Sequence, residues 1–216
     1  MLILAFDTAT PHVTVALHDG TRVLARYAGE GALRHGELLA PGIASVLADI
    51  GADRRDLTDV AVGVGPGPYT GLRVGVVTAR TLATALPARV VGVCTLDVLA
   101  AGARAVGVEG GFVAASDARR KEVYWARYDQ AGARVDGPYV MRPSDLAAAL
   151  RPGERVVGRG AQLYADVLPA IEGPADPDAG VLGAVVADES CELLPLQPLY
   201  LRRPDAVEPA GRKPVR

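Results

Sequence analysis

The chain has 216 residues, 50% of them hydrophobic, and a formal net charge of -2. It is long enough to bury one large core or two smaller ones, and its charge excludes a protein that grips nucleic acid with its whole surface. Cys94 and Cys191 lie too far apart in sequence for a metal or redox spacing and read as reduced thiols, and no apolar run approaches the roughly 18 residues of a membrane span.

The N-terminus runs from Met1 through apolar residues to Asp7 without a basic flank, which predicts a first strand, not a signal peptide, and a cytoplasmic protein. Leu2 to Phe6 reads as a buried strand, Val13 to His18 as an alternating one and Val23 to Tyr27 as a third, with Asp19-Gly20 as the turn between the last two. A helix is predicted from about His35 to Ile50, with Leu39, Ile43, Val46 and Ile50 on one face and Pro41 either bending it or marking its first turn. Val60 to Val64 is a fourth strand, Thr70 to Leu86 a long helix, Val90 to Val93 a fifth strand and Leu96 to Ala103 a short helix. The order then restarts. Phe112 to Ser116 and Glu122 to Tyr128 read as strands and Tyr139-Val140 as a third. Ser144 to Leu150 reads as a helix, Arg155 to Val157 as a strand and Ala161 to Leu168 as a helix. Two copies of one topology predict a duplicated half-domain, with lobes over 1–104 and 105–203 and a disordered Pro-rich tail over 204–216.

The loop Gly65-Pro66-Gly67-Pro68 is shaped like a phosphate cradle, but Pro66 and Pro68 each remove a backbone donor and no Lys follows. It supplies a rigid turn, then Thr70 as a helix N-cap, then Gly71, Gly75, Ala79 and Ala83 at intervals of four, a stripe that would let another helix come close. Each copy ends its first strand in an Asp, Asp7 and Asp117. Such carboxylates place metal and phosphate in two-lobed phosphotransferases, and a turn-capping Asp is the plain alternative for each. His12, His18 and His35 share no ligand spacing and read as surface or packing residues. Neither a Gly-x-Ser-x-Gly elbow nor a dinucleotide fingerprint occurs, which favours binding over catalysis.

Ile3 to Thr10, Arg34 to Pro41, the Gly65 to Gly75 loop, Asp117 to Ala126 and Tyr200-Leu201-Arg202 together resemble the bacterial TsaB (YeaZ) family over nearly the whole chain to about Arg203. Pro68 departs from the Ser common there. The resemblance implies an α/β chain of the two-lobed actin, hexokinase and Hsp70 architecture, each lobe ribonuclease-H-like. It implies the dimerisation subunit of a complex that transfers a threonylcarbamoyl group to N6 of adenosine 37 in tRNAs reading ANN codons. A TsaD-like paralogue would be the catalytic partner and a TsaE-like ATPase would join them. The free chain would be a homodimer, and tRNA would be a substrate of the complex that this chain does not itself hold strongly. No cofactor is implied in the isolated chain, and a nucleotide at the joint with the partner stays open. In the catalytic paralogue two His with three residues between them hold a metal just after the strand that follows the long helix. Here Thr95 and Leu99 stand there, so neither a metal nor a catalytic residue is expected.

Three function classes follow: a non-catalytic scaffold, an actin-like nucleotide-dependent enzyme (a small kinase or carbamoyl transferase) using Asp7 and Asp117, and a peptidase. On the scaffold reading the partner surface is made by Leu38, Leu39 and Ile43 of the first helix and by Gly71, Leu72, Gly75, Val76, Ala79 and Ala83 of the long one. Asp7, Thr8, Thr10 and Asp117 are the candidates for facing a cleft or nucleotide.

Overall fold

The computed structural model describes residues 1–31 and 34–202, so the expected disordered tail lies outside the described residues. β1 (Ile3–Asp7), β2 (His12–His18) and β3 (Val23–Glu30) form an antiparallel meander. Helix α1 (His35–Asp49) leads to β4 (Asp59–Gly63), which lies parallel to β1, and α2 (Tyr69–Ala85) leads to β5 (Arg89–Val93), parallel to β4. The order β5-β4-β1-β2-β3 is the ribonuclease-H-like one. Helix α3 (Thr95–Ala105) carries the chain to a second meander of β6 (Phe112–Asp117), β7 (Val123–Tyr128) and β8 (Arg134–Met141). After α4 (Pro143–Ala149), β9 (Val156–Val157) pairs parallel to β6, so the order β8-β7-β6-β9 repeats the first sheet through its fourth strand. The molecule is a two-lobed α/β protein with one lobe per copy.

Strand β1 is buried at every position because both faces of its sheet are covered. Leu4 and Phe6 alternate toward the core shared with Leu39 and Val46 of α1 and Val76 and Ala79 of α2. Ile3 and Ala5 face the opposite cluster, which contains Val98 of α3 and Leu182 and Val186 of a later helix.

That later helix, α6 (Ala179–Ala187), corrects the expected lobe boundary. After α5 (Arg159–Leu163) the chain leaves the second sheet, lays α6 across β1 and β2, and adds β10 (Leu193–Leu194) antiparallel to β5. Residues 179–194 therefore belong physically to the first lobe. Helix α6 is apolar around its whole circumference and buried over most of it. Asp178 caps it by accepting from the Val181 N–H at 3.0 Å.

Three smaller expectations also change. Helix α5 ends at Leu163, short of Leu168. Strand β8 extends over eight residues, beyond the expected Tyr139-Val140, and its Pro138 falls on an edge strand where a missing donor costs little. Thr70 is not a cap: α2 begins at Tyr69, its N-cap is the extended Pro68, and the Leu72 N–H closes the first turn on the Pro68 carbonyl at 3.1 Å.

Candidate functional site

The turn after β1 uses up the groups that a nucleotide would need. One carboxylate oxygen of Asp7 accepts from the Ala9 N–H at 2.6 Å and the other from the Thr95 hydroxyl at 2.8 Å. Gly63 of β4 leaves the room for that carboxylate, since a Cβ there would overlap it. Burial pushes the Asp7 carboxyl up to about 6 against those two donors, and the nearby Asp176 charge adds to the rise. Thr8 donates to the Gly71 carbonyl at 2.8 Å, and the Thr10 carbonyl lies 2.7 Å from His35 Nε2. Asp7, Thr8 and Thr10 are all buried, so none of them is an open face of a cleft.

Asp117 ends β6 in the same way. It accepts from the Arg119 N–H at 2.8 Å, two residues on, as Asp7 does from Ala9. The duplicated half-domain thus keeps a duplicated Asx turn, and both carboxylates cap turns. Between the lobes, Arg159 at the start of α5 holds both carboxylate oxygens of Asp176, with Nε contacts of 2.9 and 3.0 Å. His12 Nδ1 lies 3.1 Å from the same carboxylate. An ion pair therefore stands near the paired Asp residues.

At the positions of the expected metal ligands, the Thr95 hydroxyl is shared between Asp7 and the Gly65 N–H (3.2 Å), and Leu99 is core. Among the described residues, no group of three or more His, Cys, Asp or Glu could hold a metal ion. Burial pushes the Cys94 thiol up to about 12 and the half-buried Cys191 up to about 11, so neither is a nucleophile at neutral pH. Among the described residues, no helix is long and apolar enough to cross a membrane. His35 and His18 are buried and His12 is partly so; sequence reasoning missed that His35 ties α1 to the β1 turn.

The expected partner surface splits in two. Gly71, Leu72, Gly75, Val76 and Ala79 are buried inside this chain, a correction to their place at an interface. A Cβ on Gly71 would overlap the Thr8 carbonyl, and one on Gly75 would stand 2.5 Å from Thr8 Oγ1. The small stripe thus admits the backbone after β1, not a helix of another molecule. Leu39 is likewise core and Ala83 is exposed at the far end of α2. What stays on the surface is the outer seam of α1 and α2. Leu38, Ile43 and Val74 are half-buried against the first-lobe core, and Val77 is 56% exposed. Val77 is thus an open apolar side chain flanked by half-covered ones.

Fold and site define a two-lobed α/β chain of ribonuclease-H-like strand order whose strand-end carboxylates Asp7 and Asp117 cap turns and whose first-lobe helices present an apolar seam. A model of the TsaD family, described as tRNA N6-adenosine threonylcarbamoyltransferase, matches residues 28–172. An uncharacterised protein of Mycobacterium tuberculosis is 43% identical over 210 residues, covering 94% of this chain and 93% of its own length. The tRNA threonylcarbamoyladenosine biosynthesis protein TsaB of Escherichia coli is 34% identical over 197 residues, 90% of this chain and 82% of its own. The crystal structure of YeaZ from Pseudomonas aeruginosa superposes with a TM-score of 0.77 at 30% identity, covering 93% of this chain and 99% of that one. The chain belongs to the TsaB (YeaZ) family.

Proposed function

We propose that this chain is a non-catalytic subunit in the biosynthesis of threonylcarbamoyladenosine on tRNA, acting in the cytoplasm by docking a TsaD-like catalytic paralogue. The observation that carries the docking role is the seam of α1 and α2, where Val77 is open beside the half-buried Leu38, Ile43 and Val74. The absence of catalysis is supported by Asp7 and Asp117, whose carboxylates serve their own turns, and by Thr95 and Leu99 in place of metal ligands. On this reading a second copy occupies the same seam when the partner is absent, giving a homodimer. A TsaE-like ATPase joins the assembly, and tRNA is the substrate of the whole. Any nucleotide sits at the joint with the partner, since Pro66 and Pro68 remove donors from the glycine-rich loop of this chain.

Val77→Glu tests the seam. Val77 is 56% exposed, so the variant should fold as wild type, yet lose at least tenfold in affinity for the TsaD-like partner in a pull-down or titration, because a carboxylate would be buried unpaired in an apolar contact. Unchanged association would place the interface elsewhere.

A further inference from the structure

The turn joining β6 to β7 carries three consecutive left-handed residues that are not glycine: Arg119 (φ 58), Arg120 (φ 56) and Lys121 (φ 59). Glycine takes that conformation without strain, and a side chain does not. The turn is closed by the Ala118 N–H on the Glu122 carbonyl and the Glu122 N–H on the Arg119 carbonyl, both 3.0 Å. Three exposed cations therefore occupy positions where the backbone favours none of them. Strain of this kind persists where the side chains do something.

The turn does not stand alone. Arg202 donates to the Ala118 carbonyl at 2.7 Å and pairs with Glu122. Two residues earlier Tyr200 accepts from Arg73 Nε at 3.1 Å and stacks on Tyr69 with ring centroids 5.0 Å apart, while the Arg73 guanidinium sits 3.8 Å from the centre of the Tyr69 ring. Tyr69 and Tyr200 are 39% and 38% exposed. Two residues of extended chain span at most about 7 Å, so Arg73 of the first lobe and the turn of the second lie on one surface. Arg80 continues it along α2, held by the Leu196 carbonyl at 2.9 and 2.6 Å. Helix α2, residues 193–202 and the turn at 117–122 contain six cations and two carboxylates, Asp117 and Glu122, in a chain whose net charge is -2. Arg73 and Val77 stand four residues apart on α2, about 40° around the helix, so this surface borders the seam at Val77 on the same face.

We propose that this surface contacts the sugar-phosphate backbone and an unstacked base of the tRNA, weakly in the free chain and together with the partner in the assembly. The inference rests on the reading of the chain as a tRNA-modification subunit. Cations match phosphates, and exposed tyrosines beside an arginine are the platform on which single-stranded bases stack. A whole chain of net negative charge gives weak binding alone, so this patch adds to the partner's grip and does not replace it.

The test is a fluorescence-anisotropy titration of a labelled, unmodified tRNA transcript with the full chain at low and at physiological salt. The double variant Arg119→Gly/Lys121→Gly removes two charges and relieves the backbone at both, so it should melt no lower than wild type. It should bind at least tenfold more weakly, with a salt slope shallower by about 1 to 2, and Arg73→Gln should weaken binding as well. Wild type that fails to bind at low salt, variants that bind unchanged, or polyglutamate that displaces the transcript as well as unlabelled tRNA does would each overturn the proposal, the last in favour of an acidic protein. Co-purification of each variant with the TsaD-like partner separates the two readings. Variants that keep the partner and lose tRNA support the surface. A wild-type chain that binds tRNA but never the partner keeps the surface and removes the subunit reading.

Discussion

A Gly75→Arg chain should not fold. Its first side-chain carbon alone would stand 2.5 Å from Thr8 Oγ1 and 3.5 Å from Val62 Cγ2, in the layer between α2 and the first sheet. The remaining atoms would carry a guanidinium into the core without a partner, at a cost above about 4 kcal/mol, against the roughly 5 to 15 kcal/mol that holds a domain together. Gly75→Ala gives the graded version. Overpacking costs about 1 to 3 kcal/mol and helix propensity returns about 1, so a small net destabilisation is expected. Circular dichroism and thermal melting decide both. A Gly75→Arg chain that melts like wild type would mean that the stripe faces outward after all.

Asp7→Asn should stabilise the protein at neutral pH and above. The folded-state pKa of Asp7 is raised from 3.8 to about 6, so folding is favoured by the protonated carboxyl. That advantage is fully present below the unfolded value and is lost as pH rises through about 6, leaving a constant penalty above it. A shift of about two units corresponds to about 3 kcal/mol as an upper figure, and about 1 to 3 is expected once the rearranged bonds to Ala9 and Thr95 are included. Asn retains an acceptor for the Ala9 N–H and offers a donor to Thr95. Denaturant melts of both chains at pH 4 and pH 8 should differ at pH 8 and converge at pH 4. A variant less stable at pH 8 would show that the ionised carboxylate is what the site holds best.

The meanders and crossovers of both lobes were legible because strands such as Leu2 to Phe6 and helices such as Thr70 to Leu86 carry strong apolar patterns between turn residues. Helix α6 was not, since Ala179 to Ala187 is apolar all round and offers no helical period; only Asp178 ahead of it signals a start. The small stripe on α2 was legible as a close approach, but nothing in a sequence says whether a carbonyl at Thr8 or a second molecule makes it. The same holds for Asp7 and Asp117. Their position at strand ends is visible in the chain, whereas the Asx turns and the Thr95 contact depend on elements far apart in sequence. The left-handed run at Arg119 to Lys121 is opaque for the opposite reason: its residues are the wrong ones for the conformation.

The central claim is that this chain supports a modification reaction without performing it. The most direct measurement is threonylcarbamoyladenosine formed on a tRNA transcript, read by mass spectrometry of nucleosides, in a mixture of an activated threonylcarbamoyl donor, ATP, the TsaD-like partner and the ATPase with and without this chain. Product should appear only with the chain present, disappear with Val77→Glu, and persist with Asp7→Asn, since residue 7 caps its own turn and takes no part in the chemistry. Product abolished by Asp7→Asn while the folded variant still binds its partner, or product formed by this chain without the partner, would contradict the account.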